Sequence, residues 1–210
     1  MGLGITVGIL ADLAVNDPES VDEVAADFEA INDVLYRNGL PEHWEPRTLP
    51  RLDNRTDCGS FPYSFLHRLR YFYARRIADP DRVPAPVAEG ERPAHAPILE
   101  AIGTPGHHLL WHSDCEGYYV PIDFPEVLEG EGIAGAGIGS SIRLMSELVL
   151  IAAPLGIALH DGGLNDADAN SLAREDEETG GPYWVERIVW LTLFEAARLS
   201  IEHRAAIHFG

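Results

Sequence analysis

The chain has 210 residues, 46% of them hydrophobic, with two cysteines and a formal net charge of −19. This is globular rather than disordered composition. It offers no run of 18 apolar residues to span a membrane, and too few cysteines for a disulfide framework or a Cys-rich zinc site. Such acidity opposes a phosphate backbone and disfavours binding to nucleic acid.

The charge is uneven. Residues 47–92 hold nine arginines against six carboxylates, while the rest of the chain holds six against 28. Two readings of the acidity stand: solubility, or a surface complementary to a basic protein that speeds association. The N-terminus is apolar with no Lys or Arg ahead of it, so no secretory signal is expected and a reducing cytoplasm is the expected compartment.

Residues 3–15 alternate. Leu3, Ile5, Val7, Ile9, Ala11, Leu13 and Val15 share a face, which predicts a strand at least as far as Leu10. Gly4 and Gly8 leave the other face bare and invite close approach by another element. Asp17-Pro18 then opens a helix, with Val21, Val24, Ala25, Phe28, Ile31 and Leu35 at helical spacing and Asn38-Gly39 as its stop. Its outer face (Glu19, Asp22, Glu23, Asp27, Glu29, Asp33) is acidic, either simply solvated or a docking face. Residues 40–58 form a loop punctuated by Pro41, Pro46 and Pro50. A second helix is predicted from Ser60 to about Ile77, on Phe61, Phe65, Leu69 and Tyr73. Its Arg68, Arg75 and Arg76 either neutralise acidic neighbours or hold an anion. Six prolines and a turn at Glu89-Gly90-Glu91 make residues 78–106 an excursion.

Residues 107–124 carry the richest chemistry. Leu109–His112 and Tyr118–Ile122 are predicted as the strands of a hairpin that turns at residues 113–117. His112, Asp114 and Cys115 are candidate catalytic residues, a thiol beside a base and an acid. Alternatively, Cys115 is a small packed residue and Asp114 and Glu116 serve the turn. Trp111, Glu116, Tyr118 and Tyr119 are a candidate recognition patch, because Tyr and Trp dominate interfaces. The two tyrosines equally suit the sheet's inner face. His108 and His112 lie about 13 Å apart if the segment is a strand, too far to share an ion, so no metal is expected. No cofactor is expected either.

Residues 130–135 formally match G-x-G-x-x-G, but without a βαβ context and with no Gly-Lys-Ser/Thr following. Ser140 or Ser141 caps an apolar helix from about Ile142 to Ala153, with Arg143 in its first turn as a candidate anion ligand. Ile157–His160 reads as a short strand. Asp166, Asp168, Asn170 and Glu177 imitate a calcium loop, but Ser171 stands where Gly is needed, and a helix capped by Asn165 fits the same letters better. Tyr183 to about Ala206 is the most apolar helix, a core element or a subunit interface.

The segment from His112 to Phe124 (HSDCEGYYVPIDF), with residues 139–144 (GSSIRL) and 154–157 (PLGI), resembles a group of uncharacterised bacterial proteins of about this length. That resemblance implies a bacterial protein and a coherent fold and supplies no catalytic residues. In size, acidity and lack of a catalytic signature the chain is also similar to immunity proteins of bacterial toxin systems.

These observations predict an α+β fold: a small, mostly antiparallel sheet from the N-terminal strand and the central hairpin, covered by four or five helices. One domain over residues 1–210 is expected, with a Pro-rich excursion at about 78–106. The expected function is a non-enzymatic module of immunity or inhibitor type acting on a basic protein, with no nucleic acid or membrane involved and a homo-oligomer formed through the apolar helix. The alternative is a hydrolase centred on His112, Asp114 and Cys115.

Overall fold

The structure, a computed structural model, describes residues 2–56, 58–88, 90–175 and 177–210. Its elements are β1 (Gly2–Val7), α1 (Ile9–Asn16), α2 (Val21–Arg37), β2 (Ser60–Pro62), α3 (Tyr63–Ala78), α4 (Pro97–Ile102), α5 (His108–Trp111), β3 (Gly117–Val120), β4 (Leu128–Glu129), β5 (Gly137–Ser140), α6 (Ser141–Ala152), α7 (Asp166–Leu172), α8 (Trp184–His203) and β6 (Ile207–Phe209). The six strands make one mixed sheet in the order β2-β1-β6-β3-β5-β4. Only β3 and β5 run parallel. The α+β class is as expected, with a larger sheet and more helices.

Alternation along the strands divides the core in two. Tyr119 of β3, Ile207 and Phe209 of β6 and Leu3 of β1 point into one cluster with α3, α6 and α8. Tyr118 and Val120 of β3 and Ile138 of β5 point the other way, onto Phe28, Ile31, Val34 and Leu35 of α2 and Ile9 and Leu10 of α1. The sheet is therefore a partition, with a thick helical layer on one face and a thin one on the other.

Helical periodicity locates the large helices. α2 stops at Asn38, whose side chain donates to the Val34 carbonyl. α6 begins where Ser140 Oγ accepts from Arg143 N. α7 is capped by Asn165 Oδ1, which accepts from Asp168 N, so the calcium-like letters lie on a helix. Residues 157–160 form no strand, only an isolated bridge between His160 and Gly163. In α8, Trp190, Leu193, Phe194 and Ala197 are buried within this chain, each large apolar side chain contributing about 1.5–3 kcal/mol before entropy. Most of its apolar surface is covered within the chain, Ile201 being 38% exposed near its end.

Three expectations need correction. The N-terminal strand ends at Val7, because Gly8 adopts a left-handed φ of 76° and the chain turns into α1. The same alternating letters place Ile9, Leu10 and Leu13 on one helical face. The bare face at Gly4 is used as expected: its N–H donates to the Gly210 carbonyl at 2.7 Å, and an added Cβ would lie 2.8 Å from that oxygen. Second, the central hairpin does not form. Residues 108–111 are a helical turn, and β3 takes its neighbours from β5 and β6. Third, the helix expected from Ser60 starts at Tyr63, because Ser60–Pro62 is β2 and pairs with β1; within residues 78–106 lies the six-residue α4, opened by Pro97 in its first turn. Glu89 of the expected turn lies outside the described residues. Among the described residues no helix is long and apolar enough to cross a membrane.

Candidate functional site

The 107–124 segment is built around a buried acid. Glu147 of α6 places its two carboxylate oxygens 2.7 Å from the backbone N–H groups of His108 and Leu109, capping α5 from across the fold. Burial pushes its carboxyl up to about 7 despite those two bonds. His108 Nδ1 accepts from Ser140 N at 3.0 Å, so its proton sits on Nε2, which has no partner. Burial holds its pKa down at about 4.

His112 is equally enclosed. Its ring stacks on Tyr119 at 4.0 Å, and its nitrogens face the Ser113 and Tyr118 carbonyls at 2.9 and 3.1 Å. Burial pushes this imidazole down to about 4 as well. From beneath, Arg70 donates Nη2–H to the carbonyls of His112 and Ser113. Cys115, in contrast, is exposed, with Sγ 3.5 Å from Ser113 Oγ, and Asp114 pairs with His67 at 3.2 Å. The structure thus sets Asp114 and Cys115 on the outside of the turn and His112 inside it, turned toward backbone carbonyls. Tyr118 and Tyr119 are buried, their hydroxyls donating to Asp27 and to the His108 carbonyl. Arg143 donates Nε–H to Asp123 at 2.6 Å. Glu116 and Trp111 are exposed, Trp111 by 43%. Trp111 borders an open cleft of about 360 Å³, with Ser113, Glu129, Gly130, Glu131 and Ala136 around it.

The acidic helix lies beside this cleft. Residues 1–36 contain eight carboxylates and no Arg, and residues 109–142 contain six and no Arg. α2 buries Phe28, Ile31, Val34 and Leu35 and exposes Asp22, Glu23, Glu29 and Asp33. Asp27, half-buried, accepts from Tyr118 Oη–H at 2.5 Å and fixes the helix on the sheet. Its cation, Arg37, lies 3.8 Å from Asp33 with both side chains about three-quarters exposed, a pair of the kind that contributes roughly 0–1 kcal/mol. From Asp22 to Asp33 the helix rises about 16 Å. Four exposed carboxylates in that span lie on average ~5.5 Å apart along the axis, a dense row of one sign though sparser than the ~3.4 Å spacing of charges along one DNA strand. Val34 packs on Gly130, where an added Cβ would lie 2.6 Å from Val34 Cγ2. That contact joins α2 to the strip carrying Glu129 and Glu131.

A family model described as "Putative DNA-mimic protein" matches residues 1–209. The chain belongs to that family. No curated protein and no solved structure matches it.

Membership overturns both functional expectations, the immunity or inhibitor module and the hydrolase. It also overturns the partner expectation that set nucleic acid aside, since nucleic acid is what this family is described as imitating. The acidity that argues against binding DNA is the property a DNA mimic needs. Sequence reasoning noted the acidic face of α2 but centred the chemistry on the 112–115 turn. The available signal was the complete lack of Arg in residues 1–36 and 109–142, two stretches that only the fold brings together.

Proposed function

We propose that the chain, as one domain in the cytoplasm, is a DNA mimic that occupies the DNA-binding surface of a basic protein. The exposed carboxylates of α2, a dense row of negative charge almost free of cations, carry this reading. The surface is fixed before binding, because Tyr118–Asp27 and the apolar inner face of α2 lock the helix to the sheet. Preorganised charge of one sign raises association rates about 10–10³-fold and makes them sensitive to salt. Glu116, Glu129 and Glu131 extend the same negative field beyond the helix.

The test is displacement. A fluorescently labelled duplex is bound to each of a set of purified DNA-binding proteins from the same genome, and the protein is titrated in. Displacement of the duplex from at least one of them, weakening as salt rises from about 50 to 200 mM, is expected. The variant Asp22→Asn, Glu23→Gln, Glu29→Gln, Asp33→Asn loses at least tenfold in potency. Retention of the duplex by every protein tested, or displacement indifferent to both salt and the four substitutions, overturns the reading.

A further inference from the structure

We infer that the cleft beside Trp111 is a receptor for one arginine side chain of the DNA-binding partner. This rests on the DNA-mimic reading and adds to it the element that a row of carboxylates lacks. Proteins that bind DNA hold the phosphates with cations, but the arginines that read sequence reach past them and meet the flat, hydrogen-bonding edge of a base. An imitation made of carboxylates alone offers such an arginine nothing planar.

The cleft offers what is missing. Trp111 closes α5 with its indole 43% exposed, one of the few large apolar side chains on the surface. Glu129 and Glu131 line the same cleft, and Gly130 between them sits against Val34 of α2. A guanidinium stacks on an indole face while donating forked hydrogen bonds to a carboxylate, a combination that the compact ammonium of lysine does not match. At about 360 Å³ the cleft is near the lower end of the ~300–1,000 Å³ of small-molecule sites, a size suited to one long side chain.

The walls are built to stay open. Glu147 caps α5 through two backbone N–H groups, and Arg70 grips the carbonyls of residues 112 and 113, so the Trp111 backbone is held on both sides. On the far wall, Gly135 packs where a Cβ would lie 2.3 Å from the Glu116 carbonyl, which welds that loop to the 113–116 turn. Arg70 lies under the 112–113 turn that borders the cleft. It is buried beneath the turn and spends its Nη2 on carbonyls, so it does not neutralise Glu129 or Glu131.

The probe is N-acetyl-arginine amide, read by NMR on the Trp111 indole N–H, with N-acetyl-citrulline amide as the uncharged isostere and N-acetyl-lysine amide as the charged control. The arginine amide is expected to shift the Trp111 resonance and the backbone of residues 129–131, with affinity at least fivefold above the lysine amide and no shift from the citrulline amide. Trp111→Ala, and separately Glu129→Gln with Glu131→Gln, abolish the response. Because Trp111 is on the surface, unchanged resonances of the buried Trp190 verify folding. The four-site α2 variant keeps the arginine response while losing displacement of the duplex, so the two readings fail separately. Equal response to arginine and citrulline, shifts centred away from residues 111 and 129–131, or full duplex displacement by Trp111→Ala overturns the inference.

Discussion

The two faces of the sheet use the same carboxylates in opposite ways. On the thick side they are buried and bound: Glu195 is gripped by Arg55 at 2.5 Å and Arg198 at 2.8 Å, Glu186 by Arg68, and Glu147 by two backbone N–H groups. On the thin side, Asp22, Glu23, Glu29 and Asp33 look into solvent, with Arg37 alone at the end of their helix. Arginine follows the division, since the positively balanced stretch 47–92 supplies Arg55, Arg68 and Arg70 to the thick side. Net charge therefore says little by itself. A carboxylate bound by a cation or by backbone and side-chain donors holds the fold together, and the four on the outer face of α2 are spent on no such bond.

The sharpest break in this contrast is Glu195→Ala, which leaves Arg55 and Arg198 facing a buried gap. A loss of about 3–5 kcal/mol is expected, read by urea denaturation. A loss below about 1 kcal/mol sets Glu195 among the dispensable surface acids. Burial raises the Glu195 pKa, but the hydrogen bonds from Arg55 and Arg198 outweigh it and leave the carboxyl below its ordinary value. Its stabilisation is accordingly present above the unfolded pKa and lost as pH falls through the folded one. Glu147 runs in the opposite direction. With a folded pKa raised from 4.5 to about 7, it holds a proton in the folded state that the unfolded chain releases, so its stabilisation is complete below 4.5 and is lost as pH rises through 7. Comparing wild type with Glu147→Gln at pH 4.5 and 8 is expected to show a difference of about 3 kcal/mol in unfolding free energy. Equal pH profiles refute that assignment. The smallest effect belongs to the thin side, where the four-site α2 variant and Arg37→Ala each change stability by under about 1 kcal/mol, although the first is expected to weaken displacement at least tenfold. A larger loss makes the α2 acids structural and erases the comparison.

Periodicity over many residues was enough to place the long helices. Phe28, Ile31 and Leu35 mark the buried stripe of α2, Leu144, Leu148 and Ile151 that of α6, and Ser140 and Asn165 act as caps where they were expected. Short elements had no such signal. β6 is three residues long, and β5 is Gly-Ile-Gly-Ser, whose Gly139 is required because Tyr119 lies 2.2 Å from where a Cβ would stand. The 108–111 turn was misread as a strand because what decides it, the Glu147 carboxylate, sits 39 residues away in sequence. The candidate site was legible in part. Trp111 and Glu116 were singled out and are on the surface, and the acidic face of α2 was recognised. Glu129 was not singled out and Glu131 entered only as the acidic residue inside the 130–135 glycine pattern, because nothing local joins them to α2; contacts such as Val34–Gly130 and the shared core of Ile133 with α2 do so.

The place of β6 in the sheet has a consequence for folding. It lies between β1 and β3, pairing Ile207 with both Val7 and Tyr119, so those two strands share no edge until residues 207–209 are in place between them. Loop closure over such distances is slow. Until β6 is docked, α2 has no complete floor to lie on, and its charges have no fixed arrangement.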